Sequence, residues 1–252
     1  MTTRRPATRI REAFQPGDPV SVDEAAAVLG GDRFAASQAL THLASAGYVE
    51  RVRQLLWVRA GAPVDPYRLG ARVTSPYAFA YGTALVLRGG GSAERSEVLV
   101  ASPRRFEAFE YAGVHYRRAL PWPDGAVTKV PVGPEFVWAT TSERTLVDCV
   151  RVPSNAGGVA GIIRGVSGLG TLDSDAVLRW VDLYGEANLA GRLGFVLEAS
   201  DLAFEGRLLY ELERRRPRTR VYLEPGFRGG TLARRWNVIV PEHLRPAPRE
   251  AV

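Results

Sequence analysis

Among the 252 residues there is one cysteine, Cys149, one lysine, Lys129, and one methionine. A lone cysteine excludes a disulfide within the chain. Its place in the amphipathic run SERTLVDCV marks it as a buried structural thiol rather than a nucleophile, since free cysteine is usually buried. Histidine is almost as scarce. His42, His115 and His243 stand singly, without the short ligand spacings of a metal site on a helix or turn, so neither metal nor cofactor is expected. No stretch approaches the roughly 18 consecutive apolar residues of a membrane span. The N-terminus lacks the apolar core of a secretory signal, so the cytoplasm is the expected compartment and no membrane partner is expected.

With hydrophobic residues at 46% and charged residues at 24%, the composition is that of an ordinary globular protein. Only the two ends, MTTRRPATR and RPAPREAV, are expected to be mobile. The formal charge is +6, and because all basic residues but Lys129 are arginine, the skew reflects base composition as readily as anion binding. Its distribution says more. Residues 1–65 hold 8 basic and 7 acidic groups, residues 66–205 hold 14 and 15, and residues 206–252 hold 11 and 5. The whole excess therefore falls in the last segment.

Near the N-terminus, Ser21 followed by Glu24 is a capping box that opens a helix through Ala25, Ala26, Val28 and Leu29, and Gly30 and Gly31 stop it. Asp32 caps a second helix from about Arg33 to Ala46, with Phe34, Ala39, Leu40 and Leu43 expected on its buried face and Gly47 as its stop. Two helices joined by so short a turn form the helix-turn-helix pattern. After Gly47 the chain alternates as a strand, turns near Arg53 and Gln54, and returns through Leu56 and Trp57, as a hairpin does. A helix fit for the major groove followed by a basic hairpin is a winged helix, here over residues 1–62. Its candidate DNA-binding residues are Arg33, Ser37, Gln38, Thr41 and His42 on the helix and Arg51 and Arg53 on the wing, short hydrogen-bonding and cationic groups suited to base edges and phosphates.

AGAPVDP, residues 60–66, is poor in packing groups and marks the expected boundary. Beyond it, Ser75 and Pro76 are expected to start a helix running to Gly89, followed by strands EVLVAS, FEAFEYA, VHYRRAL, VTKVPV and FVWAT. Thr140 with Glu143 reads as a capping box for SERTLVDCV. Helical stretches near 173–184, 186–199 and 204–214 lead to strands in RTRVYLEP and RRWNVIVP, making residues 66–252 a mixed domain and the whole chain α+β. Gly89 to Gly91 with Ser92 is no phosphate loop, because no Gly-Lys-Ser/Thr follows, and a nucleotidyltransferase would need paired carboxylates where only Glu97 stands. Asp173 and Asp175 are helix-capping residues. The remaining candidate is a basic patch of Arg214, Arg215, Arg216, Arg218, Arg220, Arg234 and Arg235, for a partner protein or nucleic acid; strand alternation would set Arg218, Arg220 and Tyr222 on one face.

Taken in order, GYVERVRQLLWV, SPYAFAYGTALVLRGG, EVLVASPRR, VWATTSERTLVDCV with Gly157 and Gly158 after it, and RWNVIVP resemble the AbiEi family of abortive-infection antitoxins. The resemblance implies a non-enzymatic transcriptional regulator of a type IV toxin-antitoxin pair. Its partners would be double-stranded DNA of its own promoter and a cognate nucleotidyltransferase-like toxin, which the C-terminal domain counters in phage defence. Glu143, Arg144, Thr145 and Asp148 match the family's Glu-Arg-Thr-Leu-x-Asp run, read here as a structural helix start. Leu87 and Arg88 depart from the leucine-histidine-glycine common in that family. An alternative from another class is a nucleic-acid-modifying enzyme targeted by the winged helix, which requires clustered carboxylates. A third is an interaction adaptor, which requires an apolar or acidic outer face on the helix at 33–46.

Overall fold

The computed structural model describes residues 5–90, 96–120 and 125–244 and has an α+β fold. The chain divides into two compact units and passes between them repeatedly: residues 1–77, 95–121 and 131–137 form the first, and 78–94, 122–130 and 138–252 the second. The division differs from the boundary expected at 62–66, because residues distant in sequence complete the first unit. The expectation for RPAPREAV falls outside the described residues.

The first unit opens with helix α1 (Pro6–Ala13), strand β1 (Pro19–Ser21), helices α2 (Val22–Val28) and α3 (Arg33–Ser45), and strands β2 (Val49–Arg53) and β3 (Leu56–Arg59). The caps are those the sequence encodes. Ser21 and Glu24 satisfy each other's backbone amides reciprocally, and Asp32 accepts from the Ala35 amide. Strand order is β1-β3-β2, antiparallel throughout. Ile10, Val20, Ala36, Leu40, Val49 and Trp57 share one core, so α1 fixes residues expected to be mobile by burying Ile10 against α2 and α3. Phe34 corrects a second expectation, since its ring is 73% exposed and lies off the buried face formed by Ala36, Ala39, Leu40 and Leu43.

Asp65 then caps the short helix α4 (Pro66–Gly70) through the amides of Tyr67 and Arg68. Residues 75–80 do not start a helix. They form the short strand β4 (Ala78–Phe79), paired parallel through Phe79 with Ala139, and helix α5 (Tyr81–Leu87) begins only afterwards, in the second unit. A sheet partner sixty residues away overrides the local Ser-Pro signal. In the first unit, β5 (Glu97–Ala101) runs parallel to β7 (Val114–Ala119), and β6 (Phe109–Tyr111) pairs antiparallel with β7. The hairpin of β8 (Val127–Val132) and β9 (Glu135–Thr140) returns the chain to the second unit.

The rest of the second unit is α6 (Ser142–Arg151), α7 (Gly158–Gly165), α8 (Ser174–Tyr184), α9 (Leu189–Ala199), α10 (Gly206–Arg214) and three short strands, β10 (Val221–Tyr222), β11 (Thr231–Ala233) and β12 (Val238–Val240), in order β10-β12-β11. The cap of α6 is Thr141, which accepts from the Arg144 amide, and not Thr140, whose hydroxyl is hydrogen-bonded to Thr145; Glu143 instead accepts from the Asp173 amide. Gly90 shows why glycine follows α5. A Cβ there would lie 2.0 Å from the Gly165 carbonyl oxygen, so glycine at this position permits close backbone packing.

Candidate nucleic-acid interface

The outward face of α3 carries Phe34, Gln38, Thr41, His42 and Ser45, with Ser37 half-buried and no acidic residue anywhere in the helix. Two of these hydroxyls are engaged within the helix. Thr41 Oγ1 donates to the Ser37 carbonyl at 2.9 Å and Ser45 Oγ to the Thr41 carbonyl at 3.1 Å. Arg33 is ion-paired with Asp23 of α2, so part of its charge is spent holding the two helices in register. The side chains of Gln38 and His42 are exposed and form no hydrogen bond or ion pair among the described residues, which leaves their donors and acceptors for a partner.

The two hairpin arginines part company. Strict alternation would put Arg51 and Arg53 on one face, but a bulge shifts the register between them, so that Arg51 faces Trp57 and Arg53 faces Leu56. Arg51 remains exposed, its Nε only 3.5 Å from the Arg53 carbonyl. Arg53 instead lies half-buried over the rings of Phe106 and Phe109, 5.8 and 5.2 Å from their centroids, and reaches the Glu107 carbonyl at 3.5 Å. Beside it, Tyr111 Oη donates to Glu50 at 2.9 Å; burial and that hydrogen bond push the phenol up to about 12. The β6 segment thus braces the β2–β3 hairpin, a contact between residues fifty apart that carries no local pattern.

Sequence reading also missed Arg9 and Arg11 of α1. Arg9 donates to the Val28 carbonyl at the end of α2, and Arg11 lies over Tyr48, whose ring also meets Arg59. Behind the hairpin, Arg68 bridges Asp18 and Glu135, and Arg72 bridges Glu24 and Glu135. Burial opposes the charge on Glu135, yet the hydrogen bonds and charges of Arg72 and Arg68 outweigh it and hold the carboxyl below its usual range.

The arginines of the last segment fall into two sets, those beside carboxylates and those without an acidic partner among the described residues. Arg215 binds Asp182 at 2.9 Å and Glu211 at 2.6 Å, and Arg235 binds Glu198 at 2.7 Å and Glu213 at 3.0 Å. Arg214 stands 3.7 Å from Glu211 and Arg216 3.6 Å from Glu213. Arg218, Arg220 and Arg234 are exposed with no acidic partner among the described residues. The expected alternation through Tyr222 fails because β10 covers only Val221 and Tyr222, leaving both arginines before it outside the strand.

The Glu-Arg-Thr-Leu-x-Asp run is interior. Arg144 is 3% exposed, bonded to Asp148 at 2.7 Å and sandwiched by Trp180 and Tyr184, with ring centroids 4.0 and 4.9 Å away; Tyr184 also hydrogen-bonds Asp148. Next to them, burial pushes the Cys149 thiol well above its ordinary value. Among the described residues no three His, Cys, Asp or Glu side chains converge as metal ligands would, and no helix is long and apolar enough to cross a membrane.

No family model matches the chain, and no curated protein matches it. Among solved structures it is similar to the crystal structure of the Rv2827c protein from Mycobacterium tuberculosis, at 14% sequence identity and a TM-score of 0.66, over 94% of this chain and 90% of that one. Likeness at that identity bears on the fold and carries nothing about activity.

Proposed function

We propose that this protein is a sequence-specific DNA-binding regulator whose first sixty residues act as a winged helix-turn-helix. The observation that carries the reading is the pairing of a capped helix whose outer face offers the side chains of Gln38 and His42 unengaged, and no carboxylate, with a hairpin that leaves Arg51 exposed and without an acidic partner among the described residues. Helix α3 enters the major groove, where Phe34, Ser37, Gln38, Thr41 and His42 meet base edges or phosphates, and Arg51 reaches the adjacent backbone. Arg33 and Arg53 take positioning roles, the first through Asp23 and the second through Phe106 and Phe109.

The same proposal extends to the pathway implied by the AbiEi resemblance: a non-enzymatic antitoxin, residing in the cytoplasm, that represses its own promoter and whose larger remainder counters a nucleotidyltransferase-like toxin. What supports this part is the order of motifs in the sequence. The burial of Arg144 and Asp148 is consistent with a structural, non-catalytic role for that run.

The test is a gel-shift titration on the DNA upstream of the gene, at two salt concentrations and against unrelated competitor. Selective, salt-sensitive retardation is expected. Equal affinity for unrelated DNA, or none for either, would overturn the regulator reading and favour α3 as a protein-docking helix.

A further inference from the structure

We propose that the groove at the C-terminal end of α10 binds single-stranded nucleic acid, a site separate from α3 and the wing. Its volume is about 770 Å³, and its lining includes Arg214, Arg216, Arg218 and Arg234, with the ring of Tyr210 and one carboxylate, Glu213. Glu213 is already bonded to Arg235 at 3.0 Å. The groove therefore holds more cationic than anionic groups, and Arg218 and Arg234 have no acidic partner among the described residues.

The guanidiniums are carried on a braced frame. Asn237, in the left-handed region at φ 54°, donates its side-chain amide to the carbonyls of Pro217 and Arg218 at 3.0 and 3.1 Å. Arg216 donates to the Arg235 carbonyl at 2.7 Å. These bonds tie the segment after α10 to the turn between β11 and β12, so the walls are set before any ligand arrives and little ordering cost remains. Pro217 is buried beneath them.

The ligand class follows from what the groove offers together. Spaced guanidiniums suit phosphates, and they suit acidic peptides equally well. Tyr210 decides between the two. Its ring is 59% exposed, one helical turn before Arg214, whose guanidinium lies 5.9 Å from the ring centroid. An exposed aromatic beside arginines is a stacking platform for an unpaired base, whereas a duplex keeps its base faces stacked on one another and a glutamate-rich segment has no face to stack. Recognition of this kind is tolerant of sequence and sensitive to salt.

The experiment uses the full chain and fluorescein-labelled 12-nucleotide oligo-uridine and oligo-thymidine, followed by anisotropy at two salt concentrations. Arg218→Ala/Arg234→Ala should reduce the salt slope by about 1.4, at about 0.7 for each phosphate contact on a single strand. Tyr210→Ala should weaken binding about tenfold, and Tyr210→Phe, which keeps the ring, should restore it. Gln38→Ala/Arg51→Ala should leave oligonucleotide affinity unchanged, which separates this site from the proposed duplex site. The two oligonucleotides distinguish RNA from DNA as the preferred strand, and melting curves of each variant check that the fold is kept. Three results would overturn the proposal: unchanged affinity in both groove variants, loss through the Gln38/Arg51 variant instead, or displacement by poly-glutamate as effective as by unlabelled oligonucleotide.

Discussion

Truncating the two arginines of the proposed wing, Arg51 and Arg53, separately should give opposite phenotypes. Arg51 is exposed, has no acidic partner among the described residues and makes one long hydrogen bond to the Arg53 carbonyl, so on the proposed reading Arg51→Ala should remove one phosphate contact at little cost to the fold. Each such contact contributes about 0.9 to the slope of log affinity against log salt on duplex DNA. Raising salt fourfold then costs the wild type about 3.5-fold more affinity than the variant, for any DNA sequence, while the melting temperature stays unchanged. Arg53 is half-buried over two phenylalanine rings, each contact contributing roughly 0.5 kcal/mol at a partly exposed site. Arg53→Ala should therefore destabilise the protein by about 1 kcal/mol, lowering the melting temperature by about 2–4 °C, with a smaller change in salt slope. Filter binding at several salt concentrations and differential scanning calorimetry on the same samples measure both. An unchanged slope in Arg51→Ala would refute the assignment of the wing, and an unchanged melting temperature in Arg53→Ala would show that the ring contacts contribute nothing.

On α3, Gln38→Ala should cost about 1–3 kcal/mol on the preferred site and relax one base position in a selection experiment, whereas a uniform loss across sequences would make Gln38 a phosphate contact. Glu135→Gln should cost about 1–2 kcal/mol near neutral pH, because its carboxylate accepts from Arg68 and Arg72. Since folding lowers the pKa of Glu135, its stabilisation is present above the unfolded value and lost as pH falls through the folded value; the gap in urea unfolding between variant and wild type should narrow as pH is lowered below the usual carboxylate range, and a gap that does not narrow would contradict the ion-pair account. Gly194→Ala puts a Cβ 2.1 Å from the fully buried Trp236 ring, so a loss of about 2–3 kcal/mol in unfolding free energy is expected, and unaltered stability would mean the ring has room to move. Native Cys149 should resist a thiol reagent until denaturant is added; rapid labelling of the folded protein would show that the interior of α6 opens readily.

What the sequence made legible is local, and what it concealed depends on residues far along the chain. The Ser21–Glu24 box, the Asp32 and Asp173 caps and the hairpin at 49–59 each rest on groups within a few positions, and each is found as read. Two features hidden from local reading share a cause. Residues 75–80 carry a helix-start signal, but Phe79 pairs with Ala139; Arg53 reads locally as a hairpin cation, and its place over Phe106 and Phe109 depends on residues more than fifty positions on. The basic tail is the clearest case. Counting charges along residues 206–252 gives 11 basic against 5 acidic groups, yet Asp182 and Glu198, which neutralise part of Arg215 and Arg235, lie outside that window. Inside it, Glu211 and Glu213 engage Arg215 and Arg235 most closely and stand at longer range from Arg214 and Arg216. A linear count therefore overstates the size of the patch and hides its composition. The arginines most strongly anchored by carboxylates, Arg215 and Arg235, serve the frame, whereas Arg218, Arg220 and Arg234 have no acidic partner among the described residues, and two of these, Arg218 and Arg234, line one groove with Tyr210.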